Sequence, residues 1–500
     1  MDMDIERGLT DQERQVFSVL RGALSEAKAS TVVRVAGGWV RDKLLGLEND
    51  DIDLALDDCS GVAFAELVNT YLKSNGHETH TIGVVKANPD QSKHLETARV
   101  KVQGLWLDMV NLRSETYQDD SRIPLMKFGT AKEDAFRRDF TLNALFYNLN
   151  TSLVEDLTER GLSDLYDGVI HTPLSPDITL QDDPLRALRA VRFAARFSFR
   201  LADELRDAAS SDALHKALGA KVSRERIGVE VTGMLSGKMA RPLLAISLLH
   251  QLGLLSIILP LPPGTFPAVS DTCPGPDMKV PPQPITVDWS VSTQAAELAS
   301  ALIRSREGCQ EAGLPQPGHF MTFLCAMLLP VQGMRHQVKR SYPLAAGHIV
   351  REGLKLKAKD ATDACCILEE LPELIRLAET ASDPSRLDLG LSLRRLKELW
   401  PVGFDLACIT ELLQVPQEQK AATVSKYEAL AAAVDDLGLG EVWKLRPLLD
   451  GKAVQEMVGV PRGAMVGKVI EEEIRWQLQH PAGTAEECLE HIIAAWKSMQ

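Results

Sequence analysis

The hydrophobic periodicity of this chain changes once, near Pro173, and that change limits its architecture more than any other feature of the sequence. From Val32 to about Leu157, apolar residues come in short runs suited to strands: Val32–Val35, Ile52–Leu56, Ala98–Val102 and Trp106–Val110. Gly, Asn and Asp punctuate these runs, and helical stretches lie between them. Ahead of them, Val16, Phe17, Leu20, Leu24 and Ala27 recur at helical spacing over 11–28. Beyond Pro173 almost everything reads as helix, except a segment at 260–287 too rich in proline to pack regularly. The pattern predicts an α+β head (1–172), then an all-helical neck (173–255), body (256–440, with the Pro-rich insertion near 260–287) and tail (441–500). At 500 residues the chain exceeds what one hydrophobic core usually serves, which agrees with several domains.

The net charge of −14 argues against indiscriminate binding of polyanions. It leaves room for a local basic surface, because phosphate contacts depend on nearby Lys and Arg. No apolar run reaches the ~18–20 residues of a membrane span, so no membrane partner is expected. The start, Met1-Asp2-Met3-Asp4-Ile5-Glu6-Arg7, is acidic and has neither the apolar core of a signal peptide nor the character of a transit peptide. A soluble intracellular protein is expected, in the cytoplasm, with nucleus or mitochondrion as alternatives. The eight cysteines include one close pair, Cys365-Cys366, and none has zinc spacing, so they read as reduced core thiols. Oligomeric state has no signature in the sequence.

The segment Asn49-Asp50-Asp51-Ile52-Asp53-Leu54-Ala55-Leu56 follows Gly37-Gly38-Trp39-Val40-Arg41-Asp42. In a strand, residues two apart share a face, so Asp51 and Asp53 project together while Ile52, Leu54 and Leu56 face the core. Paired like charges are costly unless a cation sits between them or water solvates both. Two-metal phosphoryl transfer needs this geometry, with carboxylates bridging ions ~3.5–4 Å apart. Asp108, alternating with Leu107 and Met109, is the candidate third acid. Alone, an Asp-x-Asp describes the solvated end of an ordinary strand equally well. The upstream glycines shift that balance. Gly37-Gly38 lets backbone amides approach a triphosphate and Arg41 adds a charge partner, although a glycine pair also suits a plain strand-to-helix turn.

At this spacing the glycine pair, Arg41-Asp42 and Asp51/Asp53 resemble the first motif of the DNA polymerase β-like nucleotidyltransferase superfamily. Further motifs narrow the resemblance to class II CCA-adding enzymes (tRNA nucleotidyltransferases), relatives of bacterial poly(A) polymerases. The second is Arg137-Arg138-Asp139-Phe140-Thr141-Leu142-Asn143-Ala144, and the third is Gly161-Leu162-Ser163-Asp164-Leu165-Tyr166-Asp167-Gly168, running on to Thr172-Pro173. The fourth is Asp182-Asp183-Pro184-Leu185-Arg186, leading into Arg189-Ala190-Val191-Arg192-Phe193, and a looser fifth is Ser223-Arg224-Glu225-Arg226 with Glu230. The stretches 88–98 and 119–124 resemble the eukaryotic branch, and Trp476 through Cys488 resembles its fungal members. His171 departs from the family pattern, where Arg is usual, which weakens a phosphate role there.

The resemblance is specific over roughly 32–235 and thinner beyond. It implies a polymerase β-like nucleotidyltransferase head followed by an all-helical neck, body and tail. It further implies two Mg²⁺ ions, CTP and ATP as substrates, and tRNA as the partner whose 3′ end receives C, C and A. Relatives that add only CC, only A, or poly(A) share these motifs. A catalytically silent RNA-binding protein of the same fold is the alternative from another class, and the intact Asp51 and Asp53 argue against it.

In the family, the fourth motif templates the incoming base, and the residue types agree with that. Cytosine and adenine both present an exocyclic amine beside an unprotonated ring nitrogen, so a carboxylate accepts from the one and a guanidinium donates to the other. Asp183 with Arg186 therefore suits CTP and ATP and mispairs with UTP and GTP, at a cost that is large in a desolvated site. Asp183 before Pro184 also suits a helix cap, but Arg186 then stands in a first turn whose dipole disfavours cations. The stripe Arg186, Arg189, Arg192, Arg196 otherwise reads as a solvated salt-bridge face.

If the second motif is helical, Asp139 and Asn143 share a face and reach the ribose hydroxyls, with Arg138 at the phosphates. The alternative is local pairing of Asp139 with a neighbouring Arg. The stretch Glu115–Gly129, with Arg122, is expected to be a mobile loop on family analogy. Candidates for RNA contact are Lys444, Arg446, Lys452, Arg462 and Lys468 of the tail and Lys355, Lys357, Lys359, Arg394, Arg395 and Lys397 of the body, most of which read equally as ordinary solvated charges.

Overall fold

In chain order the strands of the head are β1 (Val33–Ala36), β2 (Ile52–Leu56), β3 (Gly83–Val85), β4 (Thr97–Val102), β5 (Leu105–Asn111), β6 (Arg113–Gln118), β7 (Ser121–Phe128), β8 (Leu145–Asn148) and β9 (Leu153–Asp156). Seven of them form one sheet of order β3-β4-β5-β2-β1-β8-β9. Its neighbours pair antiparallel except β2 and β5, which run parallel and set Asp53 opposite Asp108. The structure is a computed structural model that describes residues 5–85, 97–118, 121–237, 239–267, 285–307 and 317–499. It divides into two compact units, Met1–Val231 with Gln251–Ile257, and Thr232–His250 with Ile258–Gln500.

The strand alternation read from the sequence sorts the sheet into two faces. Ile52, Leu54, Leu56, Ala98, Val100, Val102, Leu107 and Met109 are all buried on the side where the helices Asp11–Ala27 and Gly61–Ser74 pack. Each Leu, Ile or Met removed from water there contributes about 1.5–3 kcal/mol. The approach is close: a Cβ on Gly61 would stand 2.3 Å from the Met109 carbonyl oxygen. Asp53, Arg99, Trp106 and Asp108 occupy the intervening positions and leave the sheet on its other face.

Helix Asp11–Ala27 starts at a capping box of Thr10 and Glu13 and ends at Lys28 in the left-handed region. Glu13 also accepts from the buried Trp39 indole (2.9 Å) and pairs with Lys43 (2.7 Å), tying this helix to Gly38–Leu44.

Where a mobile loop was expected over Glu115–Gly129, the backbone forms the antiparallel ribbon β6–β7. Thr116, Tyr117 and Ile123 favour extended backbone, and a two-stranded ribbon has free edges that tolerate Pro124. The eukaryote-like stretch before Thr97, Asp119-Asp120 and residues 268–284 of the Pro-rich segment lie outside the described residues. Within that segment, Thr265–Phe266 pairs with Arg335–His336.

The second unit is helical. Ser290–Glu307, Pro317–Leu328, Ala358–Glu379, Arg386–Leu396, Trp400–Leu412 and Lys420–Asp436 bury Leu324, Leu371, Leu393 and Leu406. Ala464–Gln479 and Ala485–Met499 close a C-terminal cluster around Val454, Trp476, Ile492 and Trp496. Two of the cations named as RNA candidates have partners within the unit: Arg394 donates to the Val442 and Leu445 carbonyls, and Arg395 pairs with Glu370 while staying exposed. Described cysteines such as Cys325, Cys408 and Cys488 are free and buried. No described helix is long and apolar enough to cross a membrane.

Candidate active site

Asp53 and Asp108 are direct partners on the parallel strands β2 and β5. Asp51 lies just before β2, with its amide donating to Asn49 Oδ1 (2.9 Å). One carboxylate oxygen from each of the three lies within 4.8 Å of the others. The compensating charge paired with Asp108 is Arg99, whose Nε stands 3.3 Å from Oδ1 without hydrogen-bond geometry. Surrounding protein, then the charge of Asp51, push the Asp53 carboxyl up to about 6. Its surface exposure is to a concave pocket, so water reaches it while protein still crowds it. Burial also raises Asp108, opposed by Arg99. Hard oxygen donors with surplus negative charge and an unsatisfied Asp108 oxygen fit a divalent cation.

The pocket encloses about 710 Å³, and Asp53, Asp108, Arg138, Asp139, Asp183, Arg186, Arg189 and Arg226 are in its wall. Gly37 has φ +68°, and a Cβ there would stand 2.6 Å from an Arg138 guanidinium nitrogen, so both backbone and space require glycine. Gly38 opens the helix Gly38–Leu44. Arg138 is braced by Asp134 (2.9 Å), by the Asn143 carbonyl (3.2 Å) and by the Phe146 ring (5.0 Å).

Arg41 does not fit the expected role of phosphate partner. It is buried between the Phe193 and Phe197 rings and donates to Asp42 (2.8 Å) and Asn143 Oδ1 (2.6 Å), outside the pocket wall.

The second motif is also not the expected helix; only Thr141–Asn143 makes a 3₁₀ turn. Asn143 is buried and donates to Asp139 Oδ1 (3.0 Å), which also accepts from the Phe140 amide (2.9 Å). Arg189 Nε donates to Oδ2 (2.8 Å), and its Nη2 stands in ion-pair contact with the same oxygen (2.7 Å). Burial would raise Asp139, but Arg189 and the Asn143 hydrogen bond overcome it and hold the carboxyl at about 2. Three hydrogen bonds and the ion pair make Asp139 the anchor of Arg189, the local pairing that the sequence offered as the alternative to a ribose contact.

Asp183 and Arg186 both face the pocket, but they do not pair with each other. Arg226 donates to both Asp183 oxygens (3.2 and 2.5 Å), and the Leu185 amide donates to Oδ1 (3.2 Å), as a helix cap does. Arg186 donates to the carbonyls of Thr179 (3.4 Å) and Arg137 (2.8 Å). The arginine stripe on helix Leu185–Phe197 is a built network: Arg192 pairs with Glu230 (2.6 Å), Arg196 with Asp42 (3.4 Å), and Arg189 and Arg192 flank Phe193. Arg226 was not among the candidate site residues. Its signal is the i, i+4 spacing of Arg226 and Glu230 on one helix, which puts both at this wall. His171 lies 2.6 Å from Arg160 and 2.8 Å from Asp164, away from the pocket wall.

In the second unit, Lys444, Arg446, Lys452, Arg462 and Lys468 are all exposed, with Lys444 paired to Glu441 and Lys452 near Glu456.

Residues 33–171 match the Poly A polymerase head domain. The chain is 34% identical over 497 residues to the tRNA nucleotidyltransferase cca2 of Schizosaccharomyces pombe, covering 97% of this chain and 98% of that one. The chain belongs to the class II CCA-adding family. Its likeness to the mitochondrial CCA tRNA nucleotidyltransferase of Saccharomyces cerevisiae is 36% over 483 residues, covering 92% of this chain and 88% of the relative. The fold likeness extends further: a solved CCA-adding enzyme (apo form II) superposes at TM-score 0.64 over 98% of this chain and 97% of its own, at 20% identity. Within the CCA-adding family, this chain is a nucleotidyltransferase whose acidic triad implies use of a divalent metal.

Proposed function

We propose that the chain adds C, C and A to the 3′ end of tRNA from CTP and ATP, with its own side chains selecting the base. The observation that carries this reading is a cluster of three carboxylates, two of which, Asp53 and Asp108, line a pocket whose wall also offers Asp183 and Arg186. Asp51, Asp53 and Asp108 would hold two Mg²⁺ ions, which lower the pKa of the primer hydroxyl and neutralise the departing pyrophosphate. The primer's 3′ oxygen bonds to the α-phosphorus, the bond from that phosphorus to the bridging oxygen breaks, and the hydroxyl proton passes to solvent.

Arg138, braced above Gly37, faces the triphosphate, and the Gly37-Gly38 backbone lets it approach. Asp183 receives three donors, which leaves about one lone-pair site on Oδ2 to accept from the amine of cytosine or adenine. Arg186 uses two of its five N–H groups on carbonyls and keeps others for the ring nitrogen. The exposed tail cations, Arg462 and Lys468 among them, are assigned to the tRNA backbone.

Incubation with tRNA lacking its CCA, supplying each nucleoside triphosphate singly and then CTP with ATP, tests this reading. CTP alone is expected to add two residues, ATP to add one only after them, and UTP and GTP none. Addition of A alone to a CC-ended tRNA, with no C addition, would make the chain an A-adding relative. A run of A would make it a poly(A)-adding one.

A further inference from the structure

The open face of the sheet continues past the carboxylates. Trp106, Asp108 and Val110 alternate along β5 and so share a face, and Asp108 and Val110 are in the pocket wall. Across the ladder, Arg99 of β4 is opposite Asp108, and Lys101 is opposite Trp106. Arg99 lies over the Trp106 ring at 5.0 Å while its Nε stands 3.3 Å from Asp108, so one guanidinium joins the indole to the acid. Trp106 is nonetheless 48% exposed, unlike the fully buried Trp39 of the same unit. It therefore adds little to the core. An aromatic ring left in water with two cations beside it is the composition of a single-strand nucleic-acid platform, where bases stack on the ring and Lys or Arg meets phosphate. Two residues of strand span ~6.6 Å, so the indole stands about one nucleotide away from the carboxylates.

We propose that Trp106, flanked by Arg99 and Lys101, stacks the 3′-terminal base of the RNA primer, placing the hydroxyl of that nucleotide at Asp53 and Asp108. The proposal rests on the primer reading above. The occupant is single-stranded RNA rather than protein, because the face is continuous with the acids at which a 3′ hydroxyl reacts and its flanking charges are complementary to phosphate.

The test uses the full-length protein and a tRNA lacking CCA whose last nucleotide is 2-aminopurine, a base whose fluorescence falls on stacking. The wild-type chain is expected to quench it on binding. Trp106→Ala should lose the quenching and raise the primer Kd about 5- to 150-fold, the range spanned by one base–aromatic stack. Trp106→Phe should retain much of both, and the KM for CTP should move far less than that for primer. Lys101→Ala should weaken binding and make its salt dependence shallower by about 0.7 in the log–log slope. Since Trp106 is outside the core, Trp106→Ala should melt as wild type does; if it does not, Trp106→Gln carries the comparison.

Unchanged quenching and primer affinity in a folded Trp106→Ala protein would overturn the platform. So would a fall in kcat alone, which would mean that the indole only braces Arg99 against Asp108. A wild-type chain that quenches the primer but incorporates no nucleotide would defeat the proposed function and leave the platform standing.

Discussion

On one wall of the pocket, Asp53 and Asp108, with Asp51 beside them, bring three carboxylates within 4.8 Å of one another and Arg99 stands 3.3 Å from Asp108, whereas on the other Asp139 and Asp183 are each gripped by an arginine. The two walls use the same residue type to opposite ends. Acids that repel one another in the free protein are available to a cation that arrives with substrate. Acids that are already neutralised hold neighbouring guanidinium groups in place. Their proton affinities diverge accordingly, Asp53 rising to about 6 and Asp139 falling to about 2. A charge cluster that costs stability marks where the ligand supplies the missing charge, and a satisfied cluster marks where the protein supplies the shape.

Removing one acid from each wall sharpens this contrast. Asp53→Asn should lower nucleotide incorporation about 10³-fold or more, the loss of several kcal/mol of metal assistance, without lowering the melting temperature measured in chelator. The sign of the pH effect follows from the shift. The unfolded chain releases the Asp53 proton near 3.8 and the folded chain near 6, so wild-type stability declines as pH rises through that window. Melts in chelator across the same window should show the variant gaining on wild type as pH rises. Equal slopes would mean that neither burial nor the neighbouring acids raise Asp53 in the fold.

Asp139→Asn should do the reverse, costing stability first. It leaves Arg189, whose side chain is 34% exposed, with Glu230 at 3.6 Å as its nearest remaining acid. A loss of about 2 kcal/mol in urea unfolding is expected, less than the ~3–5 kcal/mol of a wholly buried broken pair. The stabilisation from Asp139 is complete above the unfolded value of 3.8 and disappears as pH falls towards 2. A variant as stable as wild type at neutral pH would remove Asp139 from the scaffold. The smallest effect is expected at Arg186→Ala: discrimination of CTP against UTP should fall about tenfold with a lesser change in rate. Competition between the two triphosphates measures it, and unchanged discrimination would confine Arg186 to its two carbonyl contacts.

What the sequence made legible was periodic. The alternation of Leu107, Asp108 and Met109 is enough to place Asp108 on the face opposite the core, and β2 and β5 follow that reading. Partners distant in the chain were not legible. Nothing near Asp183 indicates that its grip comes from Arg226, 43 positions on, and nothing near Arg41 reveals Asn143, 102 positions on, or the Phe193 and Phe197 rings that enclose it. A buried and an exposed arginine look alike in a sequence, because only tertiary packing decides which one meets water. The second motif misled for a related reason. The i, i+4 spacing of Asp139 and Asn143 suggests a helix, but the two side chains meet across a single 3₁₀ turn.

The division of the sheet into a helix-covered face and an open one has a consequence for which mutations the gene can absorb. Along β2, β4 and β5, membership of the reactive set is a matter of parity. A one-codon insertion between Leu105 and Asp108 would turn Asp108 towards the helix Gly61–Ser74 and offer the pocket a leucine, while leaving composition and hydropathy almost unchanged. The same codon added at the turn Gln103-Gly104 changes no parity within β5. Strand length here is an inherited constraint as strict as residue identity, and it would show as an absence of indels rather than as invariant letters.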